Sequence, residues 1–158
     1  MAREIEHKFI VDARLWRPRS PGIPIVQGYL STERERVVRV RTFGEQAAIT
    51  VKGETRGLAR DEFEYEIPLA DARHMLRELC LKPVLSKTRY RETIGGLAWD
   101  IDVFHDENDG LVIAEVEVRD EAQAIEIPVW AAQDVSDDPR YFNSNLAVRP
   151  YKTWNTAR

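Results

Sequence analysis

One cysteine, Cys80, stands in the 158 residues. It can close no internal disulfide, and it excludes any metal cluster built on thiolates. Long apolar runs are also missing. None approaches the ~20 residues needed to cross a bilayer, and the opening MAREIEHKFIV puts acids where a secretory leader would place apolar residues. With the lone thiol, this makes a soluble cytoplasmic protein without a membrane partner the expectation. An excess of basic residues is lacking too. The net charge is −4 and the pI is near 5.5, so nucleic acid is not an expected partner. There is no internal repeat. What is present is 43% hydrophobic and 32% charged residues, enough for one packed domain over residues 1–158 with a heavy charge load.

The dominant pattern is period-two alternation. It predicts eight strands: Glu4–Val11, Val26–Ser31, Arg36–Thr42, Ala47–Lys52, Arg60–Ile67, Val84–Thr93, Leu97–Phe104 and Leu111–Val118. Short connections favour antiparallel neighbours, and Gly95-Gly96 and Asn108-Asp109-Gly110 are hairpin chemistry. Arg17–Pro24 holds three prolines and a glycine and reads as loop. A helix is predicted over Asp71–Leu81, with Ala72, Met75, Leu76 and Leu79 on one apolar stripe, and a short helical turn over Glu121–Ile125. The aromatic tail after Pro128 reads as packed on the body, with Trp16, Trp130 and Trp154 as packing groups. His7, His74, His105 and Cys80 read as structural or solvated residues.

Residues of one parity share a face of a strand. By that rule Glu4, Glu6 and Lys8 group together, as do Arg39 and Arg41, then Arg60, Glu62, Glu64 and Glu66, then Lys87, Arg89 and Arg91. Asp100 and Asp102 follow, then Glu115 and Glu117, while Lys52 shares its face with Thr50. An ordinary wet sheet face would explain any one of these strands. Taken together, the positions are almost all ionised and sorted in blocks of like sign, which an open surface does not favour. Arginine and lysine blocks suit phosphate oxygens, and clustered carboxylates suit a hard divalent cation. Eight strands can curl into a barrel with a usable interior.

The ordered series Glu4-Ile5-Glu6-His7-Lys8, Gln27-Gly28-Tyr29-Leu30-Ser31, Val38-Arg39-Val40-Arg41, Thr50-Val51-Lys52-Gly53, Arg60–Ile67, Lys87-Thr88-Arg89-Tyr90, Trp99–Phe104 and Ala114-Glu115-Val116-Glu117 resembles the CYTH superfamily, the triphosphate tunnel metalloenzymes, in its short bacterial inorganic triphosphatase branch. The resemblance covers essentially the whole chain. It implies an α+β fold: an eight-stranded antiparallel β-barrel, or tunnel, with a charged lumen and helices packed outside. It implies Mg²⁺ or Mn²⁺ held by Glu4, Glu6, Glu115 and Glu117 with Glu62 and Glu64 supporting. Phosphate oxygens would meet Lys8, Arg39, Arg41, Lys52, Lys87 and Arg89. Tyr29 with Lys87 resembles the general-base pair, the Lys87 ammonium lowering the phenol's pKa. The implied activity is metal-dependent hydrolysis of inorganic tripolyphosphate to pyrophosphate and phosphate, and homodimers are common in such families. Rival readings are a class IV-like adenylate cyclase, a nucleoside or thiamine triphosphatase, and a non-catalytic polyphosphate-binding module. An organic base would need an apolar or stacking platform, which the sequence does not display. Whether Glu66, Arg91, Asp100 and Asp102 reach the lumen is left open by parity.

Overall fold

The computed structural model describes residues 3–154. Nine strands carry it: β1 (Arg3–Val11), β2 (Ile23–Glu33), β3 (Arg36–Phe43), β4 (Gln46–Gly53), β5 (Ala59–Glu66), β6 (Leu85–Ile94), β7 (Leu97–Phe104), β8 (Val112–Glu117) and β9 (Ala131–Asp134). Two helices, α1 (Leu69–Glu78) and α2 (Asn143–Val148), and three short 3-10 turns complete it. The strand order is β5-β4-β3-β2-β6-β7-β8-β1, and β1 also pairs with β5, so eight strands close into a ring. Every pairing is antiparallel.

The ring's last seam is short. β1 meets β5 only over Arg3–Ile5 against Ala59–Asp61. Beyond it the same edge of β1 is taken by β9, which pairs with Phe9–Val11. The eight alternating strands thus match their predicted places, and β9 is an addition. Its sequence, AAQD, lacks both alternation and β-branched residues, so only the open edge of β1 recruits it.

Local differences have plain causes. Ile23 and Pro24 lie in β2 rather than in the predicted loop, Pro24 standing opposite Thr88 at the strand's beginning, where a missing N–H is tolerated. α1 starts two residues earlier than predicted and ends at Glu78. Leu79 is its C-cap and is exposed, so the buried stripe reduces to Ala72 and Leu76 with Met75 half-buried. Glu121–Ile125 forms a turn and extended chain, with no helix. The β6–β7 turn uses Gly95 and Gly96 at positive φ as expected. The β7–β8 connection is a 3-10 turn over Asp106–Asn108.

The alternation sets one face of each strand inward and the other outward. Most outward apolar residues are covered, chiefly in two patches, with a smaller one of Ile5, Ala59 and Val118, while Val51, Phe63 and Tyr65 stay exposed. Trp99, Ile101, Ala114 and Val116 are buried beneath Trp16 and Trp130 from the segments that wrap the ring. Val40 and Ala47 lie beneath Ala72, Leu76 and Cys80 of the α1 region. The inward face changes character along the tunnel. At one end Leu85, Phe104 and Ile113 continue the parity of Lys87, Asp102 and Glu115, and they pack with Tyr141, Leu146 and Ala147. α2 therefore closes this end of the ring, whereas the sequence placed all helices outside.

Candidate active site

The other part of the lumen is a cavity of about 340 Å³. β1 sends in Glu4, Glu6 and Lys8, and β2 sends Tyr29. β3 adds Arg39 and Arg41, β4 Lys52, and β5 Arg60, Glu62 and Glu64. From β6 come Lys87, Arg89 and Arg91, from β7 Asp100, and from β8 Glu115 and Glu117. Every residue singled out for metal, phosphate or proton handling therefore lines one cavity. Arg91 and Asp100 also reach it. Glu66 is exposed and does not line it, and Asp102 lies fully buried behind Lys87 and Arg89.

The charges are cross-paired. Lys8 Nζ is 2.5 Å from Glu115 Oε2, and Lys52 Nζ is 3.1 Å from Glu4 Oε1 and 3.7 Å from Glu62. Glu64 faces Arg39 at 3.7 Å and Arg41 at 3.9 Å. Arg89 clasps Asp102 with two hydrogen bonds of 2.8 and 2.9 Å, and Lys87 Nζ reaches the same carboxylate at 2.8 Å. Asp102 thus fixes two cations of the cavity wall, a supporting role set by the β6–β7 pairing that stands it opposite Arg89.

Burial opposes ionisation throughout, and the partners decide the outcome. For Glu115 burial is outweighed by Lys8, Arg89 and Lys87, and the carboxyl falls far below the usual range. Glu4 also ends lowered, Lys52 outweighing burial and the repulsion of Glu115. Glu6 goes the other way: burial, then Glu115 and Glu4, push it well above the ordinary value. Glu117 and Glu62 are raised by burial and then by Glu4. Arg41 is pulled down to about 10 by burial and by Arg39 and Arg89.

Among the described residues no three acidic side chains converge into a ready-made metal cage; Glu115 and Glu4 are each engaged by a lysine. The donor set nonetheless suits a hard divalent cation. The crowded carboxylates are all oxygen ligands, and Glu6, Glu62 and Glu117 are raised first by burial and then by neighbouring carboxylates, a repulsion that a bound cation would offset.

One expectation needs correction. The Tyr29 hydroxyl is not lowered by Lys87. It accepts a hydrogen bond from Gln27 Nε2 at 3.0 Å. Burial pushes the phenol up, against lowering by Arg39, Gln27, Lys8 and Arg41. Lys87 instead donates to Asn143 Oδ1 at 2.8 Å. Its own pKa falls to about 8, because burial and Arg89 outweigh Asp102. The lumen also holds residues that strand parity could not supply: Ser136, Phe142, Asn143 and Ser144 from the tail. Phe142 is an aromatic surface, but Lys8 and Arg60 stand over its ring at 6.0 and 5.9 Å, so it is engaged by cations.

The CYTH domain model matches residues 2–151. An inorganic triphosphatase of Acetivibrio thermocellus is 44% identical, covering 98% of this chain and 99% of its own length. An inorganic triphosphatase of Nitrosomonas europaea is 35% identical over 92% of this chain and 97% of its own. A crystal structure of an inorganic triphosphatase superposes with a TM-score of 0.66 at 32% identity, covering 94% and 96% of the two chains. A putative adenylate cyclase from Bacillus halodurans shares the fold at TM-score 0.57 and 16% identity, covering 77% and 84%. The closed ring, the inward charges and the near-complete match together establish that the chain belongs to the CYTH domain family.

Proposed function

We propose that this protein is a metal-dependent inorganic triphosphatase, cleaving tripolyphosphate to pyrophosphate and phosphate with Mg²⁺ or Mn²⁺. The observation that carries the reading is a single cavity whose wall joins seven buried or half-buried cations, and the exposed Arg91, to seven carboxylates, all on inward strand positions. Among the described residues the wall is mostly charged, and its phenylalanine, Phe142, has Lys8 and Arg60 over its ring, where a base would have to stack. The high identity to two inorganic triphosphatases supports the same substrate class.

In this reading Arg39, Arg41, Lys52 and Arg89 bind phosphate oxygens and neutralise charge as the bridging P–O bond breaks. Glu4, Glu6, Glu115 and Glu117, aided by Glu62 and Glu64, would hold the metal. A metal held there would supply Lewis-acid polarisation of the triphosphate. Lys8 and Lys52 now occupy Glu115 and Glu4. A triphosphate would draw both ammonium groups onto its own oxygens and release those carboxylates. Water attacks the terminal phosphorus, its proton passes to the Tyr29–Lys87 pair, and pyrophosphate leaves with the bond's electrons. Lys87, at about 8, is the member nearer neutrality and so the better proton acceptor.

The test is phosphate release from tripolyphosphate, pyrophosphate, ATP and thiamine triphosphate, with Mg²⁺, Mn²⁺ or EDTA. Tripolyphosphate should show the highest kcat/KM, ATP should be weak, and EDTA should abolish turnover. A higher value for ATP, any cyclic AMP, or undiminished turnover in chelator overturns this function.

A further inference from the structure

Lys87 and Tyr29 do not touch through a hydrogen bond of their own. They are joined by two carboxamides. Lys87 Nζ donates to Asn143 Oδ1 at 2.8 Å. Gln27 Nε2 donates to the same Oδ1 at 3.0 Å and to the Tyr29 hydroxyl oxygen at 3.0 Å. Resting on the triphosphatase reading, we propose that Asn143 and Gln27 are positioning residues of the active site, a carboxamide chain that fixes the orientation of both proton-handling groups.

The direction of the chain follows from its end member. A lysine ammonium has only donors, and an amine still has N–H to give. Asn143 must therefore present its oxygen. With that oxygen as acceptor, Gln27 must present its NH₂, and its second N–H then falls on the phenol oxygen. Tyr29 is thereby held as an acceptor, and its own proton is free to point into the lumen. On the Lys87 side, Asn143 and Asp102 take N–H donors, leaving the remaining valence of the nitrogen to the cavity.

The chain is costly, which argues against a purely structural role. Gln27 is fully buried, and its Oε1 has no partner, so the desolvation of that oxygen goes uncompensated. A hydrophobe of the same shape would fill the site without it. The charged groups facing Tyr29 are Arg39 and Arg41 from β3 and Lys8 from β1. Those facing Lys87 are Asp102 from β7, Arg89 on its own strand and Glu115 from β8. None of them supplies the link that Asn143 and Gln27 make.

The chemistry gives an asymmetric test. Asn143→Leu and Gln27→Met each break the chain with little change in volume. Asn143→Asp keeps an oxygen that accepts from both neighbours. We expect kcat on tripolyphosphate to fall about 10- to 10²-fold in Asn143→Leu and Gln27→Met with a smaller change in KM. Asn143→Asp should recover the lost kcat only at higher pH, because its negative charge beside Lys87 favours the ammonium and moves the rise of the pH profile upward. A second readout needs no turnover: the ¹³Cζ resonance of Tyr29, assigned through Tyr29→Phe, titrated in each folded variant. Losing the donor should move the Tyr29 titration to higher pH in Gln27→Met. If wild type hydrolyses tripolyphosphate and both chain-breaking variants keep its kcat, the inference is overturned. If wild type hydrolyses no triphosphate, the function fails, and an unmoved Tyr29 titration in Gln27→Met then overturns the chain separately.

Discussion

Lys87 shows how one side chain's chemistry is set by its neighbours. A free lysine titrates near 10.5; here burial and Arg89 bring it to about 8 although Asp102 lies 2.8 Å away. The amine fraction therefore grows about tenfold per pH unit below 8 and saturates above it. If Lys87 receives the proton, kcat/KM should rise between about pH 6 and 8 and then level. Lys87→Arg keeps the cation but cannot deprotonate, so it should lose that rise. A wild-type kcat/KM that falls through pH 8 instead would assign Lys87 to phosphate binding alone. Asp102 is what makes this balance possible. Fully buried, it keeps its charge because Lys87 and Arg89 outweigh the cost of burial.

Between elements, the tightest constraint is the approach of α1 to β2. A Cβ on Gly28 would sit 2.9 Å from Cys80 Cβ and 3.0 Å from Leu76 Cδ2. The first of these is anchored to backbone and cannot swing away. Gly28 therefore lets the α1 region lie flat over Val40 and Ala47, next to the strand that carries Tyr29. Gly28→Ala should destabilise the fold by roughly 1–3 kcal/mol through overpacking, read as a lower urea midpoint with unchanged slope. A variant as stable as wild type would mean that α1 shifts freely on the ring. The seam between β1 and β5, three residue pairs long, is the matching weak place on the ring itself. β9 and the wrapped segments reinforce β1 where β5 leaves it.

For the whole molecule, the net charge of −4 hides a lumen in which like charges are forced together. Arg41 is lowered to about 10 by burial, Arg39 and Arg89, and Glu6 is raised by burial, Glu115 and Glu4. In both, burial is the first cause and like-charged neighbours add to it. A ligand that neutralises them should stabilise the fold. Inorganic tripolyphosphate with Mg²⁺ at 100 times its Kd should contribute about 2.7 kcal/mol, a Tm increase of roughly 5–10 °C for a chain of this size. Phosphate alone should do much less. Equal shifts with tripolyphosphate and phosphate would count against a site built for a chain of phosphates.

The sequence by itself determined which side chains share a face. Backbone pleating has a period of two whatever the fold does, so Glu4, Glu6 and Lys8, or Lys87, Arg89 and Arg91, could be grouped from spacing alone. It could not say whether that face was wet or enclosed. That depends on the pairing of β1 with β5, a closure made by strands more than fifty residues apart. The family resemblance anticipated a tunnel, but the place of α2 was not legible in residue pattern. A six-residue helix carries too little periodicity to reveal what it covers. Gln27 and Asn143 were missed for the same reason. They are 116 residues apart, and neither carries the charge that singled out the other lumen residues. Only tertiary packing makes them neighbours, because a hydrogen bond between carboxamides is specified by distance and direction, and a linear sequence encodes neither.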